Sequence, residues 1–203
     1  MLEGLRHLGA EAEFNNGTVK VTAGKLQETS LSRDLCSRIR TSILFAGPLA
    51  YRTGKSEIGP PGGDVIGRRR LDGHFYGLKG LGFEIDTTAS PFKFYCKKRP
   101  QGRELFLDEA SVTATEQLLC AAAVAEGETI IRNAAAEPHV VNLGEMLCGM
   151  GAQFTGLGSN TLTIIGAEKM HGTECSVFSD HIEAGSFLAL GAACGGELRL
   201  TGT

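Results

Sequence analysis

The residues with the clearest capacity for chemistry lie between Gly59 and Asp72, in the stretch GPPGGDVIGRRRLD. One carboxyl group, Asp64, is followed within six residues by Arg68, Arg69 and Arg70. A carboxylic acid can give or take a proton during a reaction. Guanidinium groups are planar, permanently charged forks that match phosphate or carboxylate oxygens. Gly67, just before them, lets backbone approach a ligand closely. The chemistry implied is an anion site with a proton donor beside it. Taken alone, the same charge run also fits a solvated surface loop.

Pro60, Pro61, Gly62 and Gly63 cannot continue a helix or a central strand, so an exposed, mobile loop is expected there. The elements around it come from an internal repeat. GLRHLGAEAEF, GLKGLGFEIDT and MLCGMGAQFTG each read as a helix end, a glycine cap and a strand. The capping glycines Gly9, Gly82 and Gly151 are spaced by 73 and 69 residues, and Gly54, Gly127 and Gly196 by the same two intervals. Each of the second set closes a helix rich in small residues and precedes an alternating strand, KSEIG, ETIIRN or ELRLTG. Two landmarks sharing two offsets define a repeated α/β unit containing one hairpin. In the first copy a hairpin is expected over 10–22. A helix carrying Leu35, Ile39, Ile43, Ala46 and Leu49 follows it, kinked or tightened near Gly47-Pro48. Further helices are expected over about 112–125 and 182–194, and between them from Val65 or Arg70 to Leu81 and over 140–150. The excursion Thr88–Arg103 reads as a surface ornament on one hairpin. Glu137 is the repeat equivalent of Asp64, and the two acids either face one cleft or are solvated loop residues. The next equivalent position falls past Thr203, and residue 1 falls inside a helix already under way. Both ends are therefore expected to cut units open.

The chain has 203 residues, 42% of them apolar, and a net charge of -3, an ordinary globular composition. The charge balance excludes a dedicated nucleic-acid binder and favours a small anionic partner. No run reaches the length of a membrane span, and the first residues lack a signal-peptide pattern, so a cytoplasmic location is expected. Cys36, Cys96, Cys120, Cys148, Cys175 and Cys194 lack metal-site spacing and read as free thiols, several of them buried. No metal is expected. His7, His74, His139 and His171 read as surface or capping residues.

The repeat, with Arg38–His74, Leu107–Leu143 and Ser179–Gly196, resembles the UDP-N-acetylglucosamine 1-carboxyvinyltransferases, members of the enolpyruvyl transferase superfamily that includes EPSP synthase. The resemblance covers nearly the whole chain. It implies an inside-out α/β barrel built from βαβαββ units, two such domains in the family, and substrates in the cleft between them. Residues 1–178 then correspond to most of the first domain without its start, and 179–203 to the beginning of the second. The implied reaction adds the sugar 3-hydroxyl to C2 of phosphoenolpyruvate while C3 is protonated, then eliminates phosphate, a committed step toward peptidoglycan. No cofactor is implied, because phosphoenolpyruvate is a substrate.

By the same resemblance Asp64 occupies the position of the proton donor, a cysteine in most members. Without that thiol, alkylation by fosfomycin-type epoxides is not expected. Arg69 matches the arginine that touches the phosphoenolpyruvate phosphate, and Arg40 a nucleotide-sugar arginine. Arg70, Leu71, Asp72 and Gly73 continue a substrate loop in which the family usually has Pro-Val at the first two positions. Glu109, Ala110, Ser111 and Val112 match a second substrate loop at a helix N-terminus, with Glu109 where some members carry Lys. Asp180 and His181 stand where an Asp-Arg pair is common and read as structural. Two other readings remain open. One is a relative acting on shikimate 3-phosphate; the other is a non-catalytic module that at most binds nucleotide sugar.

Overall fold

A computed structural model describes residues 1–63, 67 and 69–202. The chain opens with helix α1 (Leu2–His7) and the hairpin β1 (Glu11–Asn15) and β2 (Thr18–Thr22). Asn16 and Gly17, with φ of 48° and 76°, form the tight turn that pairs Asn15 with Thr18. Next come α2 (Arg33–Arg38), a 3-10 helix (Arg40–Phe45), α3 (Ala46–Thr53), β3 (Lys55–Ile58), α4 (Asp72–Gly80), β4 (Glu84–Asp86) and β5 (Phe92–Tyr95). A second run follows: β6 (Glu104–Phe106), α5 (Val112–Ala122), β7 (Glu128–Arg132), α6 (Pro138–Gly149), β8 (Gln153–Thr155) and β9 (Thr161–Ile165), with α7 (His181–Cys194) last.

The repeat is visible in the pairing. The second run is a full βαβαββ unit whose sheet has the order β6-β7-β9-β8, with β6 and β7 parallel across α5 and the rest antiparallel. The first run forms β3-β5-β4, and its opening strand is reduced to a parallel bridge between Ser30 and Glu57. Both sheets thus share one topology. In β7, Thr129 and Ile131 are buried and face Ile164 and Leu162 of β9. The alternation places one side of the sheet on the core and leaves the other outward.

The helices occupy the inside. In α5, Ala114, Thr115, Gln117, Leu118, Leu119, Ala121 and Ala122 are all buried, and the helix packs against α3, α4, α6 and β9. Such burial requires small side chains on its neighbours. A Cβ on Gly77 of α4 would overlap the Leu118 side chain, and one on Gly73 would come within 3.3 Å of the Ala114 Cβ. One contiguous core runs from Leu49 and Ile58 through Leu78, Phe94 and Leu118 to Ile131 and Leu162. The inside-out α/β arrangement is therefore present. No residue of α7 is buried.

Four expectations are corrected. The first-copy helix is three pieces, broken at Ile39 (φ -140°, ψ 140°), and Gly47-Pro48 lies in the first turn of α3, where proline is accommodated. The Ser42 hydroxyl lies 2.8 Å from the Ile39 carbonyl oxygen and 3.1 Å from that of Cys36, serving groups left over at the break. The segment ELRLTG forms no strand, although Gly196 has the expected positive φ of 103°. Thr88–Arg103 is no surface ornament: it supplies β5, the central strand of its sheet, with Phe94 fully buried. Phe75 packs edge-on against Phe92 at 5.5 Å. Arg99 donates to the carbonyl oxygens of Val124, Ala125 and Ala167 at 3.0–3.2 Å, tying the excursion to the end of α5. Finally, the opening of the Gly59 loop packs on α2: Gly59 is buried, and the Gly62 N–H donates to the Cys36 carbonyl oxygen at 2.9 Å.

Candidate functional site

Three chain segments meet at one cavity of about 280 Å³, lined by Arg40, Arg69, Arg70, Glu109, Ser111, Val112 and Thr113. The break at Ile39 positions Arg40 as the first residue of the 3-10 helix. From there Arg40 Nη2 donates to the carbonyl oxygen of Arg70 at 2.8 Å, which joins the 3-10 segment to the loop leading into α4. Its Nε is buried without a hydrogen-bond partner among the described residues. Burial, followed by the charge of Arg69, pulls the Arg40 pKa below its ordinary value, and Glu109 acts in the opposite direction. Arg40 and Arg69 against Glu109 leave the cavity positive, a setting for an anion.

The other wall is the start of α5. Ser111 is its N-cap, with Oγ accepting from the Ala114 N–H at 3.4 Å, while the Ser111 N–H donates to the Glu109 carbonyl oxygen at 2.8 Å. A helix of 11 residues presents the positive end of its dipole at this point. Glu109 and Ala110 are exposed just before the cap.

The Arg70 side chain is committed to acids. It bonds Asp72 Oδ2 at 2.8 Å and lies 3.5 Å from Asp108, which together raise its pKa, the Asp72 hydrogen bond most. Its backbone carbonyl, by contrast, faces Arg40. Leu71 is the N-cap residue of α4 and Asp72 its first residue, so an acid stands at a helix N-terminus where it is stabilising. Gly73 lies against α5. The structure therefore brings Arg40, Arg69, Arg70, Glu109, Ser111 and Val112 around one cavity and sets Leu71, Asp72 and Gly73 directly beside it. Asp64 and Arg68 lie outside the described residues.

Three residues escaped the sequence reading. His74 is 1% exposed, neither surface nor cap, and its Nε2 is 3.1 Å from Thr113 Oγ1. Burial and then the charge of Arg40 push its imidazole down to about 4. Its spacing with Leu78 and Leu81, one helical face, was the available signal. Thr113 lines the cavity itself. Gln117 is fully buried and bridges the 3-10 helix to α3, donating to the Ile43 carbonyl oxygen at 2.8 Å and accepting from the Gly47 N–H at 3.0 Å. Farther off, Asp180 caps α7 through the N–H groups of Ile182 and Glu183, and His181 stacks on His139 at 5.7 Å. All six cysteines are free, with Cys36 and Cys96 buried. Among the described residues no His, Cys, Asp and Glu cluster is arranged for a metal ion, and no helix is long and apolar enough to cross a membrane.

Inner helices and outer sheets carry an arginine-lined cavity at a helix N-terminus. The chain belongs to the EPSP synthase (3-phosphoshikimate 1-carboxyvinyltransferase) family, whose pattern it matches over residues 1–203. It is 50% identical over 202 residues to a UDP-N-acetylglucosamine 1-carboxyvinyltransferase from Treponema denticola, covering 99% of this chain and 47% of the relative. To the enzyme of that name from Borreliella burgdorferi it is 44% identical over 200 residues, covering 98% and 47%. The chain spans about half the length of the curated relatives it matches. Among solved structures, the fold is similar to an enolpyruvyl transferase from Streptomyces tendae, with a TM-score of 0.79, 22% identity and coverage of 94% and 45%. It is also similar to EPSP synthase from Acinetobacter baumannii, with a TM-score of 0.64, 24% identity and coverage of 95% and 44%.

Proposed function

We propose that this chain carries the phosphate- and nucleotide-gripping part of a UDP-N-acetylglucosamine 1-carboxyvinyltransferase. In this reading the enolpyruvyl group passes from phosphoenolpyruvate to the sugar 3-hydroxyl and phosphate leaves, in the cytoplasmic synthesis of peptidoglycan precursors. The observation that carries it is the cavity where Arg40 and Arg69 face the N-terminus of α5, supported by 50% identity to a relative bearing that name.

The chain's groups divide the work as follows. Arg40 and Arg69 hold anionic oxygens, and the Arg70 carbonyl keeps the Arg40 fork in place. Leu71, Asp72 and Gly73 set the substrate loop against α5, while Glu109, Ala110, Ser111 and Val112 form the opposite lip. Asp64 gives its proton to C3 of phosphoenolpyruvate as the sugar oxygen bonds to C2 and the sugar O–H breaks, its proton passing to a base. A C3 proton then returns to the Asp64 carboxylate as the C2–O bond to phosphate breaks, which restores the double bond and releases phosphate. Neither a metal nor a cofactor enters, and the partners are the two small substrates.

The test is phosphate release from phosphoenolpyruvate and UDP-N-acetylglucosamine. It compares this chain with a chimera in which the segments of the Treponema denticola relative flanking the matched region are joined to it. Turnover by the chimera that is lost in its Asp64→Ala variant supports the reading. Turnover only with shikimate 3-phosphate as acceptor would replace the substrate. Nucleotide-sugar binding without turnover in the chimera would make the chain a binding module.

A further inference from the structure

Behind the arginine cavity lies a buried pair that neither the sequence motifs nor the proposed roles account for. His74 of α4 is 1% exposed, its Nε2 is 3.1 Å from Thr113 Oγ1, and its Nδ1 is buried with no hydrogen-bond partner among the described residues. The other end of this pair is not sealed off, because Thr113 lines the cavity together with Arg40 and Arg69. A half-satisfied imidazole is an expensive way to fill a space that an apolar side chain would fill without an orphan nitrogen.

We infer that Thr113 is a further anion-binding residue of this cavity and that His74 is its positioning residue: His74 Nε2–H donates to Thr113 Oγ1, turning the threonine hydroxyl hydrogen toward the bound anion.

The choice of tautomer follows from the surroundings. With the proton on Nε2, the orphan Nδ1 carries only a lone pair, whereas the other tautomer would leave a buried N–H unpaired, the rarer and costlier case. The ring stays neutral through the physiological range, since burial and nearby Arg40 push its pKa down to about 4. It therefore remains a donor of one proton and adds no charge. A threonine oxygen that already accepts one hydrogen bond still has its own O–H to give. Gly73 meets Ala114 beside this pair, so at this point α4 and α5 touch through small groups that set no direction. The His74–Thr113 bond supplies one.

The inference rests on the proposed substrate reading only for the identity of the anion. Titration calorimetry on the whole chain with UDP-N-acetylglucosamine and, separately, inorganic pyrophosphate tests it through Thr113→Val, Thr113→Ser, His74→Phe and the Thr113→Val/His74→Phe double variant. Losing one hydrogen bond to an anion weakens binding by about tenfold. Thr113→Val is expected to show that loss and Thr113→Ser to retain wild-type affinity. The double variant is expected to bind no worse than Thr113→Val, because Thr113→Val already removes the bond through which His74 acts. Histidine nitrogen shifts of the free protein read the tautomer directly, with Nε2 protonated between pH 5 and 8. Pyrophosphate binding that depends on Thr113, without UDP-N-acetylglucosamine binding, would uphold the inference while removing the substrate reading. An Nδ1–H tautomer would overturn it, as would Thr113→Val with unchanged affinity for both probes or a chain that binds neither.

Discussion

Arg40 Nη2 reaches across to the carbonyl oxygen of Arg70 at 2.8 Å, so one arginine of the cavity is oriented by the backbone of another. A lysine at position 40 would keep the charge and lose the fork. Arg40→Lys is expected to weaken UDP-N-acetylglucosamine binding by about tenfold, the equivalent of one charge-assisted hydrogen bond, with little change in melting temperature. Calorimetry at fixed ionic strength checks this. An unchanged affinity would remove Arg40 from the site.

Gln117 spans the junction between the 3-10 helix that begins at Arg40 and α3, with one bond to the Ile43 carbonyl oxygen and one to the Gly47 N–H. A Cβ on Gly47 would collide with this same amide, so the fit is close. Gln117→Leu takes away the Gly47 N–H's bond to the amide, while the Ile43 carbonyl oxygen keeps the Ala46 N–H. The expected cost is about 1–3 kcal/mol, read from urea denaturation, the range for one orphaned buried group. A variant as stable as the parent would show that the junction holds itself.

Glu116 of α5 carries a pKa raised to about 7, through burial first and the charge of Glu137 second. In turn it helps raise the Cys120 thiol to about 12, where burial is the larger cause. Because the folded state holds this proton more tightly than the unfolded chain, the contribution of Glu116 to stability is intact below about pH 4.5. It declines as pH rises through about 7. Glu116→Gln is expected to match the parent at pH 4 and exceed it by about 1–2 kcal/mol at pH 8, a figure discounted for partial solvent screening. Denaturation midpoints at the two pH values decide it: equal differences at both would assign the effect to something other than this proton.

Phe94 is fully buried in β5 and lies 6.1 Å from the Phe75 ring. Phe94→Ala is expected to cost about 3–5 kcal/mol, the range for removing a core aromatic. A surface hairpin would lose almost nothing, so thermal melting separates the two descriptions of Thr88–Arg103.

The repeat, the hairpin over 10–22, the gathering of arginines and the glycine caps were all legible before any coordinates. These features are local. A left-handed backbone position selects glycine wherever the chain goes next, and Gly9, Gly54, Gly82, Gly127 and Gly151 all have positive φ. Collinear family motifs likewise named Arg40, Arg69 and Ser111, although they are far apart in the chain. The same local reasoning failed on β5, because Phe92–Tyr95 is a strand only by pairing on one side with β3 and on the other with β4. It failed on the first-copy helix for a similar reason. Leu35 through Leu49 keep helical spacing across Ile39, but the carbonyl groups freed at the break are served by Ser42 nearby, and the following junction with α3 is held by Gln117 from a distant helix.

What the sequence determined by itself is the repeated unit, the family and the charge that collects near Gly59–Asp72, because each is written in residue types at short range or at fixed offsets. Only the tertiary structure decided which of those charges share a cavity, that Arg70 spends its side chain on Asp72 and Asp108, and that His74 is buried and joined to Thr113. A hydrogen bond acts over about 3 Å, whereas His74 and Thr113 are 39 residues apart in the chain. Only the packing of α4 against α5 brings them together.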